Sequence, residues 1–151
     1  MSDNHREAIE VTIPSRTEHL SIVNRVTEEI ADQLALGDED KNALATAVIE
    51  AATNAIQHGN RNDVKKKVSV RYVVTPTKLE VIVKDQGSGF NPDAVADPLR
   101  PENLLRERGR GIFIIRAFMD QVRFTQQGKN GMIVRLVKYL QTTSSEKEAR
   151  G

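Results

Sequence analysis

Residues 79–90 read LEVIVKDQGSGF, and how this stretch ends decides what the chain builds. Leu79, Val81 and Val83 alternate with Glu80, Ile82 and Lys84, a period of two that puts the first set on one face of a strand. The strand then closes on a carboxylate, Asp85, on two glycines, Gly87 and Gly89, and on Phe90. An Asx turn accounts for the aspartate and one glycine. Matching polar and glycine-rich segments elsewhere in the chain would instead make this strand end part of a binding site.

Upstream, Val68, Val70, Tyr72 and Val74 alternate in the same way, and TPTK turns the chain, so a hairpin delivers Asp85 to its end. At the start, Ile9, Val11 and Ile13 read as a strand stopped at Pro14, at or near a sheet edge. SRTE follows, in which Ser15 can cap a helix with Glu18 reaching back. Leu20, Val23, Val26, Ile30 and Leu34 then recur at helical spacing up to Gly37. A second helix is expected from Asp38 or Asp40 through NALATAVIEAATNAIQ, with Gly59 placed to end it. Its apolar face comprises Leu44, Val48, Ala51, Ala52, Ala55 and Ile56. Glu50, Asn54 and His58 lie on a separate flank at four-residue steps.

Residues 91–108 are charged, proline-bearing and weakly periodic, longer than an ordinary connection, and form the natural lid candidate. GRGIFIIRAFMD reads as a short helix opened by glycines, VRFTQQ and MIVRLVKYL flank the turn GKNG as a last hairpin, and QTTSSEKEARG reads as a polar tail. The order β-α-α-β-β-(loop)-α-β-β predicts an α+β fold, a two-layer sandwich of a mixed, largely antiparallel sheet with its helices on one face. A domain over residues 1–140 and a disordered tail over 141–151 are expected.

Composition narrows the function. The 151 residues include 22 basic and 21 acidic side chains, a net charge of +1, which predicts no general pull toward nucleic acid or anionic membrane. There is no cysteine, hence no disulfide framework and no thiolate metal site. The start does not read as a signal peptide, and no apolar run approaches the ~20 residues of a membrane helix. A cytoplasmic location is expected.

Three segments, EAATNAIQHGN (50–60), KDQGSGF (84–90) and GRGIFIIRAFMD (109–120), stand in an order and at intervals that carry information none of them carries alone. Together they resemble the N, G1 and G2 boxes of the GHKL (Bergerat-fold) ATP-binding superfamily. The fullest match is to its stand-alone branch of bacterial anti-sigma factor serine/threonine kinases, which have a histidine-kinase-like ATPase domain. The similarity runs from about Ser15 to Tyr139. The chain has neither GxxxxGK[ST] nor GxGxxG, so the two commoner phosphate loops are absent.

The chemistry of each box fits. Asn54 offers one neutral oxygen to a magnesium ion whose other ligands are phosphate and water. Glu50, one turn earlier, is placed to take a proton from an attacking hydroxyl beside the last phosphate. Asp85 can accept a hydrogen bond from the adenine amine and so select adenine, while Gly87 and Gly89 let the backbone pass close to the purine or adopt positive φ. Gly109, Arg110 and Gly111 at a helix start offer backbone N–H groups to phosphate. Arg106, Arg108 and Arg110 can add charge-assisted contacts, although Arg110 stands where the branch has a small or apolar residue. His58 reads as a helix-end histidine near the negative end of the dipole.

The resemblance implies a kinase that binds ATP and Mg2+ and phosphorylates a serine of an anti-anti-sigma (STAS-type) partner, sequestering a sigma factor when that partner is unavailable. It implies a homodimer as well. The alternative is a non-catalytic, ATP-gated protein-binding module, which would have no need of the base Glu50. A domain cut from a sensor histidine kinase fits less well, for want of room for a helical phosphoacceptor hairpin.

Overall fold

The computed structural model of the chain describes residues 6–87 and 107–140, those at 107–110 by their backbone. The elements are β1 (Glu7–Pro14), α1 (Leu20–Gln33), α2 (Asp38–Asn54), a π-helical turn (Ala55–Gly59), β2 (Lys67–Val74), β3 (Lys78–Lys84), α3 (Glu107–Phe118), β4 (Gln121–Gln126) and β5 (Met132–Tyr139). The five strands form one sheet in the order β1-β2-β3-β5-β4, with the helices packed on one face, as the α+β reading expects.

Every pairing among the described strands is antiparallel, so the parallel component of a mixed sheet does not occur among them. The reason is topological. An even pair of helices, α1 and α2, separates β1 from β2 and returns the chain in the opposite sense. The crossover β3–α3–β4 does run its two strands in the same direction, but β5 fills the place between them. β1 lies at the sheet edge, as the proline at its end suggested.

The alternation of β2, β3 and β5 turns Val68, Val70, Tyr72, Leu79, Val81, Val83, Val134 and Leu136 into the buried face of the sheet. Against it lie Val23, Ile30 and Ala31 of α1, Leu44, Val48 and Ala51 of α2, and Ile115 of α3. All six apolar positions expected on the second helix and its extension are buried. Tyr72 is wholly buried, and its phenol is tied to the Thr27 hydroxyl at 2.6 Å, which pins the sheet to α1.

Two local expectations fail for tertiary reasons. Ser15 does not cap a helix. Its hydroxyl donates to the Lys66 carbonyl at 2.6 Å, while Glu18 pairs with the exposed Arg16 and a single 3-10 turn (Thr17–His19) precedes α1. Nor does Gly37 end α1. The left-handed residue there is Ala35, at φ 54°, and Leu36 N–H reaches the Ala31 carbonyl at 3.0 Å. Gly37 instead sits in an extended conformation at the N-cap of α2.

Candidate functional site

The site begins where α2 stops being an α-helix. Over Ala55–Gly59 the coil widens to π, and the Asn60 N–H bonds the Ala55 carbonyl five residues back at 2.8 Å. Such widenings concentrate at functional sites because they re-aim the side chains around them. Here Glu50, Asn54 and His58 remain half-buried on the flank expected from their spacing. Gly59, at the end of the widened turn, lies directly under the Asp85 carboxylate. A Cβ on Gly59 would collide with Asp85 Oδ2. Its glycine is therefore required by close approach, and the helix-ending role expected for it is secondary.

Asn60 clamps this arrangement. It is 1% exposed, and its amide nitrogen donates to Ser15 Oγ at 2.8 Å and to the Lys67 carbonyl at 3.0 Å. Its amide oxygen accepts the Gln86 N–H at 2.7 Å. One side chain thus joins the ends of β1, the π turn, β2 and β3. Nothing in the spacing of the sequence singles it out, since its partners lie up to 45 residues away.

Asp85 is 6% exposed at the end of β3. Its Oδ1 accepts the Gly87 N–H at 2.9 Å and the Met132 N–H at 3.1 Å, and its own N–H donates to the Met132 carbonyl at 3.1 Å. The Asx turn of an ordinary strand end is therefore present, but it occupies one carboxylate oxygen and leaves the other turned toward Gly59. Gly87 does not have positive φ. A Cβ there would strike the Gly59 carbonyl, so its glycine serves protein packing. Gly131, which reading along the chain placed only in a turn, has φ 108°, and a Cβ on it would meet the Asp85 backbone. Gly89 and residues 91–106 of the expected lid lie outside the described residues, as does the tail at 141–151.

The described part of α3 begins at Glu107, ahead of the expected Gly109. Gly109 and Arg110 lie in its first described turn, and Gly111 follows them. What Gly111 supplies is room. A Cβ on it would come within 2.9 Å of Glu50 Oε2 and 3.4 Å of Asn54 Nδ2. The first turns of α3, the expected base and the expected metal ligand therefore converge at one point.

A cleft partly open to solvent lies between Asn54 and Asp85. Asn54, His58, Gly59, Asp85, Gln126 and Met132 line it, with Ile112, Ile115 and Phe124 giving it an apolar wall. The few converging polar groups beside an apolar wall suit a small-molecule ligand. The residues also fit the nucleotide and metal implied above. Asp85 and Asn54 both line the cleft, and among the described residues no three acidic or histidine side chains gather into a protein cage. A metal would be held by Asn54 together with ligand oxygens, which is how magnesium sits at phosphate sites. No helix among the described residues is long and apolar enough to cross a membrane.

Known proteins resemble this chain over most of its length. The model of the histidine kinase-like ATPase domain matches residues 13–138. The serine-protein kinase RsbW of Bacillus velezensis is 36% identical over 138 residues, covering 87% of this chain and 85% of its own. The protein of the same name from Bacillus subtilis is 33% identical over 143 residues, covering 91% and 88%. The histidine kinase domain of the Erythrobacter litoralis EL346 blue-light activated kinase superposes with a TM-score of 0.56 at 23% identity, over 85% of this chain and 62% of that one, a likeness of fold. The chain belongs to the histidine kinase-like ATPase family and, within it, to the serine-protein kinases.

Proposed function

We propose that the chain binds Mg-ATP in this cleft and transfers the terminal phosphoryl group to a serine of a small anti-anti-sigma protein of the STAS type, holding a sigma factor when that protein is not available. The observation that carries the reading is the convergence of Glu50 and Asn54 on Gly111 beside a cleft that Asn54 and Asp85 both line. Asp85 Oδ2 accepts from the adenine amine, and Asn54 contributes its oxygen to the metal. A metal held there would neutralise phosphate charge. The N–H groups of Gly109 and Arg110 face phosphate at the positive end of the α3 dipole. Glu50 orients the serine hydroxyl and takes its proton as the new P–O bond forms and the bond to the ADP oxygen breaks. Gly87 holds Asp85 in place through its N–H. The protein acts in the cytoplasm as a homodimer, with protein partners and without direct contact to nucleic acid.

Glu50→Ala tests the kinase reading against a protein that only uses ATP to gate binding. The variant is expected to keep its affinity for ATP and to lose phosphoryl transfer by about 10²–10⁴-fold, the contribution of a general base. Labelled ATP and a candidate STAS-type protein, followed for label on serine, give the readout. A wild type that binds ATP, changes its affinity for partners and labels none of them would replace the kinase by the gated module.

A further inference from the structure

On β4 the burial alternates strictly, with Gln121, Arg123 and Thr125 exposed and Val122, Phe124 and Gln126 turned inward. Gln126 is the polar member of the inward set, and it lines the same cleft as Asp85. Its amide nitrogen donates to the Gly128 carbonyl at 2.8 Å and to the Gly131 carbonyl at 3.3 Å. These two carbonyls fix the amide's orientation, since the reverse flip would set oxygen against two oxygens. Its Oε1 is consequently held away from the turn, buried, and without a hydrogen-bond partner among the described residues. A buried acceptor left unpaired is costly, and in a native fold it calls for an explanation such as a ligand. The position of this oxygen is tied to Asp85 through Gly131, whose carbonyl holds the Gln126 amide and whose α-carbon abuts the Asp85 backbone.

We infer that Gln126 Oε1 is a second acceptor for the exocyclic amine of the base, beside Asp85, and so a specificity-determining group of the site. The inference rests on the ATP reading above and adds to it. An exocyclic amine carries two N–H bonds in the plane of its ring. One carboxylate oxygen satisfies one of them, and the amide oxygen takes the other. A base presenting a carbonyl at that position would then face two acceptors.

Affinities of the wild type, Gln126→Leu and Gln126→Met for ATP and for N6-methyl-ATP, measured by calorimetry, test this. N6-methyl-ATP keeps one N–H for Asp85 and lacks the second. Wild type is expected to bind ATP on the order of tenfold more tightly than the methylated nucleotide, the scale of one buried hydrogen bond. Both variants are expected to bind the two nucleotides within about twofold of each other. If Gln126 only staples the β4–β5 turn, its loss weakens both nucleotides equally and the wild-type preference survives in the variants, which overturns the inference while leaving the ATP reading intact. A wild type with no affinity for either nucleotide would overturn that reading itself, and this inference with it. Gln126→Met, which keeps side-chain length, provides the measurement should Gln126→Leu fail to fold.

Discussion

At Asp85 the two carboxylate oxygens have different employment. Oδ1 is committed to two backbone N–H groups, and Oδ2 is turned toward Gly59. An asparagine can keep its oxygen in the first position and place its NH2 in the second, so the strand end survives while an acceptor becomes a donor. Asp85→Asn is therefore expected to melt close to wild type and to bind ATP about 5- to 150-fold more weakly, equivalent to 1–3 kcal/mol for a lost buried hydrogen bond. Calorimetric titration beside a thermal melt checks both halves. Unchanged ATP affinity would remove Asp85 from the base-binding role.

At the scale of elements, α2 and α3 meet at Gly111. The atom a Cβ would approach there, Glu50 Oε2, is the tip of a flexible side chain, so Gly111→Ala can be accommodated by moving the carboxylate. Alanine in a helix interior is favoured over glycine by about 1 kcal/mol. The variant is expected to unfold at equal or higher denaturant concentration, yet to transfer phosphate more slowly because Glu50 has been displaced. A loss of stability with unchanged transfer would contradict this arrangement.

Such effects mark the boundary of what was legible in the sequence. The strand alternation, the apolar face of α2 and the Glu50–Asn54 flank depend on short periods, and they emerge as read. The capping box at Ser15 does not, because a strand neighbour, the Lys66 carbonyl, takes the hydroxyl that local pattern assigns to a helix. The π turn leaves no period of its own. Gly131 and Gln126 come to Asp85 from more than 40 residues away, through the β3–β5 pairing, so their role becomes visible only once that register is known. The resemblance of three short boxes supplied the ligand, and the glycine contacts supply the reason Gly59, Gly87 and Gly111 have no side chains.

For the molecule as a whole, the Tyr72–Thr27 link couples the sheet to α1. Burial pushes the Tyr72 phenol up to about 12, opposed in part by the hydrogen bond shared with Thr27. An unfolded tyrosine ionises near 10. Below pH 10 both states hold the proton and the stabilisation is complete. Between 10 and 12 the unfolded chain releases its proton while the folded one keeps it, so stability falls as pH rises, by up to about 2–3 kcal/mol. Tyr72→Phe is expected to lose about 1 kcal/mol at neutral pH and to show a shallower alkaline decline. Urea midpoints at pH 8 and pH 11 for both proteins give the comparison. Equal slopes would place the alkaline loss elsewhere.

The antiparallel order of the sheet also sets an order of assembly. β1 pairs with β2 across an interval that joins Glu7 to Val74, whereas β4 and β5 close through a tight turn. Non-local pairings are slow because a long loop must be closed before any contact rewards it. During synthesis, therefore, the first strand and its two helices wait for a partner. The cleft waits longer still, because Ile112, Gln126 and Met132 complete it from the last third of the chain. A nascent chain can gather most of its core before it has anywhere to hold a nucleotide, so ligand arrives at a nearly finished protein and stabilises it without guiding its folding.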